Sequence, residues 1–281
     1  MSESTAMALP REELGEWLRV TRTGESAFEA ALENHFGAAH REDLLARCAL
    51  AALAANPGRA IASLHADWLA PAEPAVPLAL RVAPLAGDAS RCEVLGGAAA
   101  APCCRVRAGF AGGGAALSYQ DAALPPGLAN PETLPTTVEY ARNEGWPEAY
   151  AAGPVEFRRI GPLRPDRTRG ESTQQLSWLK LRAPLPRDVQ LEQAALVFLA
   201  TFYDHWEFER RIGERFDYGK LALRAHAVWL HRAARPEGWL LLRAASRVAT
   251  AGRALGTREL FSQDGALLAT VASDAHYDGE A

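Results

Sequence analysis

Apolar residues recur at helical spacing from His40 to Asn56, where Leu44, Leu45, Cys48, Ala49, Ala52 and Leu53 follow one face and much of the rest is alanine. This spacing predicts a helix, stopped by Asn56-Pro57-Gly58. Four shorter segments follow, at about 59–69, 76–86, 90–97 and 102–111, with breaks at Pro71 and Pro74, Gly87-Asp88 and Gly96-Gly97. Their length and punctuation predict strands. The same order then returns. Asp188 stands as an N-cap after Pro184 and Pro186, and Val189 to about Arg211 predicts a second helix. Its middle, Ala194 to Ala200, is apolar on every side, as in a helix buried all round. Strands are predicted at 219–232, 238–249, 252–263 and 266–276, with Gln263-Asp264-Gly265 as a hairpin turn. Trp17–Val20 and Phe28–Ala31 are expected to open the first half as strands, as Pro154–Arg158 and Leu176–Arg182 open the second.

The two halves share more than their order of elements. His65 and Trp68 stand 161 residues before His226 and Trp229, and the strand-like run at Leu78 stands the same distance before that at Trp239. Matching order and spacing point to duplication. One buried helix followed by about four antiparallel strands is a sheet wrapped around a helix, and two copies can join edge to edge, removing two exposed edges. The expected fold is therefore α+β, a tandem (double) hotdog. Residues 1–112 form the first repeat, 113–153 a linker rich in Gly, Pro, Ala and Asn, and 154–281 the second repeat.

The chain has 281 residues, 48% of them apolar and 23% charged, which excludes disorder for most of it. A net charge of −4 argues against nucleic acid as a partner. No apolar run is long enough to span a membrane, and the polar start, Met1 to Glu13, is unlike a signal peptide; a cytoplasmic protein is expected. Cys48, Cys92, Cys103 and Cys104 show no metal-ligand spacing, so they are expected to be reduced and buried, with no metal and no cofactor.

Several short motifs resemble those of the bacterial type II acyl-CoA thioesterases, a double-hotdog family. In the second half these are Pro154–Phe157, Trp178–Arg182, Leu185–Asp188, Ala225–Arg232, Gly238–Leu242 and Phe261–Ala269; in the first they are Phe36-Gly37 and His65–Leu69. The resemblance covers nearly the whole chain apart from the first dozen residues and the linker. It implies hydrolysis of acyl-CoA by a water held by an Asp, a Thr and a Gln. Here the matching positions are Ala225, Arg247 and Ser273. A methyl group cannot act as a base, so the resemblance carries the fold and leaves the chemistry to a rearranged set of polar residues.

Those residues are Arg247, Ser273 and Asp204. Arg247 offers a permanent cation for a carboxylate, a phosphate or a thioester oxyanion. Ser273 lies on the last strand and can hold a water. Asp204 emerges from the end of the apolar second helix, where burial shifts a carboxyl. The backbone at Gly37 and Ala38, at the start of the first helix, can polarise a carbonyl as helix starts do for anions. His65, His226 and Trp229 complete the candidate substrate site, although the two histidines also read as structural groups needing the same packing in both copies. The expected function is thioesterase-like action on an acyl-CoA or acyl-carrier-protein thioester through a non-standard site. The alternatives are a catalytically silent hotdog that binds an acyl or polyketide-like ligand, and an enzyme that rearranges or dehydrates a natural-product intermediate. The open edges of one double hotdog predict a homodimer.

Overall fold

The computed structural model describes residues 13–31, 41–72, 77–98, 101–112, 117–145, 153–162, 174–213 and 216–279. The first half runs α1 (Leu14–Trp17), β1 (Thr21–Arg22), β2 (Ala27–Ala30), α2 (Arg41–Ala55), β3 (Ile61–Trp68), β4 (Leu78–Leu85), β5 (Asp88–Ala98) and β6 (Ala101–Phe110). After α3 (Thr137–Asn143), the second half runs β7 (Val155–Ile160), β8 (Gln175–Leu181), α4 (Val189–Thr201), α5 (Trp206–Ile212), β9 (Leu221–Leu230), β10 (Leu240–Thr250), β11 (Arg253–Ser262) and β12 (Leu267–Tyr277).

One antiparallel sheet takes in all these strands in the order β1-β2-β4-β5-β6-β3-β9-β12-β11-β10-β8-β7. Read from either outer edge, the two halves have the same internal order. They join through β3 and β9, where Ala66 lies opposite His226 and Leu64 opposite Val228. The helices α2 and α4 pack against each other and against the sheet, and their side chains, from Leu44 to Leu53 and from Ala194 to Ala200, form the core with the inward residues of the strands. This is a double hotdog. The space beside the alanine-rich α2 is taken up by α4. Gln193 on α4 accepts from the Ile61 N–H at 2.7 Å, and Gln190 donates to the Leu53 carbonyl at 3.3 Å, tying the two halves together.

Each predicted strand of the main runs is present, and the α2 boundaries agree to within a residue at each end. Asp188 caps α4 through its Oδ1, which accepts from the N–H groups of Gln190 and Leu191. Asp188→Ala is expected to cost about 1 kcal/mol in a urea unfolding experiment, because those two donors lose their partner. All four cysteines are free and buried, and burial pushes the Cys92 thiol up to about 11.

Four expectations need correction. Trp17–Val20 is not a strand: Leu14, Trp17 and Leu18 sit at helical spacing, all are buried, and the Trp17 indole N–H donates to Asp43 of α2 at 2.9 Å. The helix predicted over 189–211 breaks at Phe202–His205, leaving α4 and α5 as separate elements. The segment read as a linker is packed structure in part. Ala122, Leu124, Leu128 and Leu134 cover Trp178, Trp239, Leu241 and Phe261 on the outer face of the second half, and the carbonyl of Ala129 accepts from the Trp178 indole.

The fourth correction concerns the 161-residue spacing, which is out of phase with the fold. Residues directly opposite on neighbouring strands share a face. His226 lies opposite Ala66 on the inner face, whereas His65 lies opposite Ala227 on the outer one. The matching histidines therefore face opposite ways, and so do the matching tryptophans. An even spacing is what superimposes inward on inward, because strand side chains alternate with a period of two. The expectation that both histidines share one packing fails for this reason. The four rings still meet across the seam, His65 with Trp229 and Trp68 with His226, each pair 5.7 Å between centroids.

Candidate functional site

A row of small and polar residues crosses the inner face of the second half. Ser246 of β10 lies opposite Gly256 of β11, Gly256 opposite Ser273 of β12, and Ser273 opposite His226 of β9. His226 is buried, and the Trp68 indole N–H donates to its Nδ1 at 2.8 Å. A neutral imidazole with an accepting Nδ1 carries its proton on Nε2. That nitrogen faces Oδ2 of Asp204 at 3.4 Å.

Asp204 reaches this point because the helix breaks. Phe202 leaves helical geometry with ψ of 125°, and Tyr203 takes a left-handed φ of +47°, which a non-glycine residue holds only when its surroundings enforce it. Phe202, Tyr203 and Trp206 pack round Phe157, and Tyr203 stacks on Trp206 at 4.7 Å. The turn thus points its one acidic side chain under the sheet, where Asp204 is 4% exposed.

Burial dominates the electrostatics. It pushes the Asp204 carboxyl up to about 7, with repulsion from Glu42 adding to it and the cations Arg41 and Arg258 opposing. Burial also pushes His226 down to about 3, helped by Arg258 and Arg41. Near pH 7 the imidazole is neutral and the carboxyl is close to its midpoint, so the 3.4 Å contact is not a charged pair of the ordinary kind. It is also not a hydrogen bond. Asp204 Oδ2, His226 Nε2 and Ser273 Oγ are all buried without a hydrogen-bond partner. Three such atoms on neighbouring residues are uncommon, since buried polar groups are nearly always paired.

Ser273 has room because its neighbour on β11 is glycine. A Cβ on Gly256 would lie 2.4 Å from Ser273 Oγ, 2.6 Å from Glu207 Oε1 and 3.0 Å from the Phe208 ring. A cavity of about 230 Å³ opens at the Ser246 end of the row, lined chiefly by Phe208, Ile212, Leu221, Ala254 and Tyr277, with Arg211 beside them.

The other candidate residues are placed as follows. Arg247 is the extra residue of a bulge between Ser246 and Val248 and is exposed. Trp229 is 38% exposed and stands with His65 on the outer face. Ala225 is also on that face, and both its cross-strand neighbours are carboxylates, Asp67 and Asp274, facing Arg107 at 4.0 Å and Arg253 at 2.8 Å respectively. Gly37 and Ala38 lie outside the described residues. Asp204 and Ser273 thus come together with His226, while Arg247, His65 and Trp229 do not join them. Sequence reasoning placed Glu207 beside Asp204 at the helix end, with Arg210 and Arg211 as its ordinary partners, and missed its pairing with Arg258 and Trp68 as the partner of His226. The pairing lacks a sequence signal, because an Arg–Glu pair 51 residues apart has no periodic mark.

Comparison with known proteins agrees with this architecture. Residues 160–276 match the family model described as acyl-CoA thioesterase. A curated relative, acyl-CoA thioesterase 2 of Haemophilus influenzae, is 30% identical over 105 residues, a match covering 35% of this chain and 35% of that protein. The matched region thus spans about a third of the relative's length. Among solved structures, a tesB protein of Mycobacterium avium subsp. paratuberculosis superimposes with a TM-score of 0.74 at 20% identity, covering 93% of this chain and 96% of the other. The acyl-CoA thioesterase II TesB2 of Mycobacterium marinum does so with a TM-score of 0.73 at 22% identity, covering 95% and 98%. Among the described residues no helix is long and apolar enough to cross a membrane.

Proposed function

We propose, from the premise that this chain resembles the bacterial type II acyl-CoA thioesterases in sequence and fold, that it hydrolyses an acyl thioester through a rearranged site built on Asp204, His226 and Ser273. The observation that carries this proposal is that the buried, unpartnered Asp204 Oδ2 and His226 Nε2 face each other at 3.4 Å while Ser273, whose Oγ is also buried and unpartnered, is the cross-strand neighbour of His226 on the inner face. A water placed among them donates to Asp204 and accepts from His226 Nε2–H, with the Ser273 hydroxyl as a further partner. Asp204 takes a proton from this water as its oxygen adds to the thioester carbonyl carbon. The C–S bond then breaks, and the proton passes from Asp204 to the leaving thiolate. A carboxylate with its midpoint near neutral pH is matched to that task. His226 acts here as a neutral hydrogen-bond donor, held in that tautomer by Trp68. The mostly apolar cavity beyond Ser246 is proposed to take the acyl chain.

Free thiol release from acyl-CoAs and acyl-carrier proteins of several chain lengths tests the proposal. Release no faster than the uncatalysed rate for every thioester would overturn it. The rate should also follow the state of Asp204. Activity is expected to rise about tenfold per pH unit below 7 and to level off above it, because the basic form increases as the carboxyl deprotonates. His226, held down near 3, contributes no limb between pH 5 and 9. A profile that is flat across pH 7 would exclude Asp204 as the base.

The alteration of all three of the family's water-holding positions, to Ala225, Arg247 and Ser273, favours one alternative, a hotdog that binds an acyl or polyketide-like ligand without turning it over. Its mark is thermal stabilisation by an acyl-CoA with no thiol release. A product altered in mass or retention while the thioester stays intact would point instead to rearrangement or dehydration. The proposal includes a homodimer, since β1 and β7 stand at the two outer edges of the sheet.

A further inference from the structure

The turn that carries Asp204 is held by a side chain from across the core. Arg258 of β11 is 1% exposed and Glu207 of α5 is fully buried, and the guanidinium donates to both carboxylate oxygens, at 2.9 and 2.5 Å. The same guanidinium donates to the carbonyls of Phe202 at 2.8 Å and Tyr203 at 2.7 Å. These are carbonyls that α4 leaves without helical partners where it ends. One rigid fork therefore grips the end of α4, the left-handed residue before Asp204 and the first turn of α5. We propose that Arg258 is a positioning residue: with Glu207 it staples the α4–α5 turn so that the Asp204 carboxyl stands against His226 and Ser273. The proposal rests on Asp204 being the base and adds what aims it.

The alternative is that the pair only stabilises the core. Two features separate these roles. A stabilising ion pair needs only a partner for each charge, whereas two of the four bonds made by Arg258 go to the backbone on either side of the Tyr203 peptide plane and its strained φ. The pair also lies beside the row itself, since the Gly256 Cβ position that meets Ser273 Oγ meets Glu207 Oε1 as well. A lysine in place of Arg258 would keep the charge but lose the fork.

The test uses the full chain with two variants, Arg258→Lys and the double variant Arg258→Met with Glu207→Leu. The double variant removes both charges together and replaces a buried pair with apolar groups, a change that cores tolerate. The readout is the titration midpoint of Asp204, followed by carbon-13 NMR of the aspartate carboxyls with Asp204→Asn as the assignment control. The groups that face Asp204 are His226 on β9, Arg41 and Glu42 on α2, Glu207 on α5, Arg258 on β11 and Tyr218 before β9. Arg258 lowers the Asp204 midpoint more than Glu207 raises it, so loss of the two charges would by itself move the midpoint up, and a downward displacement reports position and not lost charge. The expected result is a folded double variant whose Asp204 midpoint moves by at least about one unit from near 7 toward the ordinary carboxylate value, with kcat down about tenfold or more and KM little changed. Arg258→Lys is expected to show the same displacement. A folded variant of either kind that keeps the wild-type midpoint and kcat overturns the proposal. If the double variant does not fold, Arg258→Lys decides alone. The midpoint needs no substrate, so a wild-type chain without thiol release leaves this result readable and removes only the hydrolytic function.

Discussion

Asp204→Asn is expected to lower kcat/KM for acyl-thioester hydrolysis by about 10²- to 10⁴-fold, the contribution of a positioned general base, while the chain stays folded. Asparagine keeps the size of the side chain and its oxygen but cannot take a proton from water. The same substitution has an opposite effect on stability. The folded-state midpoint of Asp204, about 7, lies above the ordinary value of 3.8, so between these values the folded chain holds a proton that the unfolded chain has lost. Stability from this group is therefore present below about pH 4 and falls as pH rises through 7. Asparagine has no proton to lose. Asp204→Asn should unfold at a higher temperature than the wild type at pH 8, with the difference shrinking at pH 5. Scanning calorimetry at the two pH values checks the sign. A variant less stable than the wild type at pH 8 would mean that the carboxylate is held by favourable contacts, contrary to its unpartnered Oδ2. Activity lost with stability gained is the behaviour of a group placed for chemistry at the expense of the fold.

Arg258→Met alone should have the largest effect on stability, about 3–5 kcal/mol of destabilisation in urea unfolding at pH 7. The loss of hydrophobic contact is small, because methionine fills much of the same space. The cost comes from Glu207, left fully buried with a carboxylate whose guanidinium is gone, and from the carbonyls of Phe202 and Tyr203, which lose their donor. Burial works against the charge on Arg258, and the Glu207 carboxylate more than offsets it, so the guanidinium is held charged above its ordinary range. Adding Glu207→Leu to Arg258→Met should recover most of the loss, and a non-additive double-mutant cycle would show it. If Arg258→Met costs less than about 1 kcal/mol, the pair is not the keystone of the turn.

Both predictions turn on the four residues from Phe202 to His205, and these show where reading from sequence stops. The apolar run Ala194–Leu199 marks a buried helix, and the acid just past it stands where burial shifts a carboxyl. The break itself was not legible. Phe202, Tyr203 and Trp206 all fit a helical pattern, and no Gly or Pro interrupts them; the interruption comes from the Phe157 ring of β7 and from a guanidinium on β11. Likewise Trp68 donates to His226 from 158 residues away, and no local pattern records it. The Gly- and Pro-rich stretch after β6 has the composition of a connection. Its apolar residues are spaced singly, and they count as core only once Trp178, Trp239 and Phe261 present an outer surface that needs covering.

The chain by itself determined the elements and their duplicated order, which fits the hotdog architecture, because helix and strand periods depend on neighbours a few residues away. The tertiary structure alone decided which face each residue of those strands takes and which polar groups meet. One residue of register exchanges the two faces of a strand, and register is set by hydrogen bonds between segments far apart in the chain. That is why His65 and His226, alike in sequence, end on opposite sides of the sheet, and why only His226 finds Asp204.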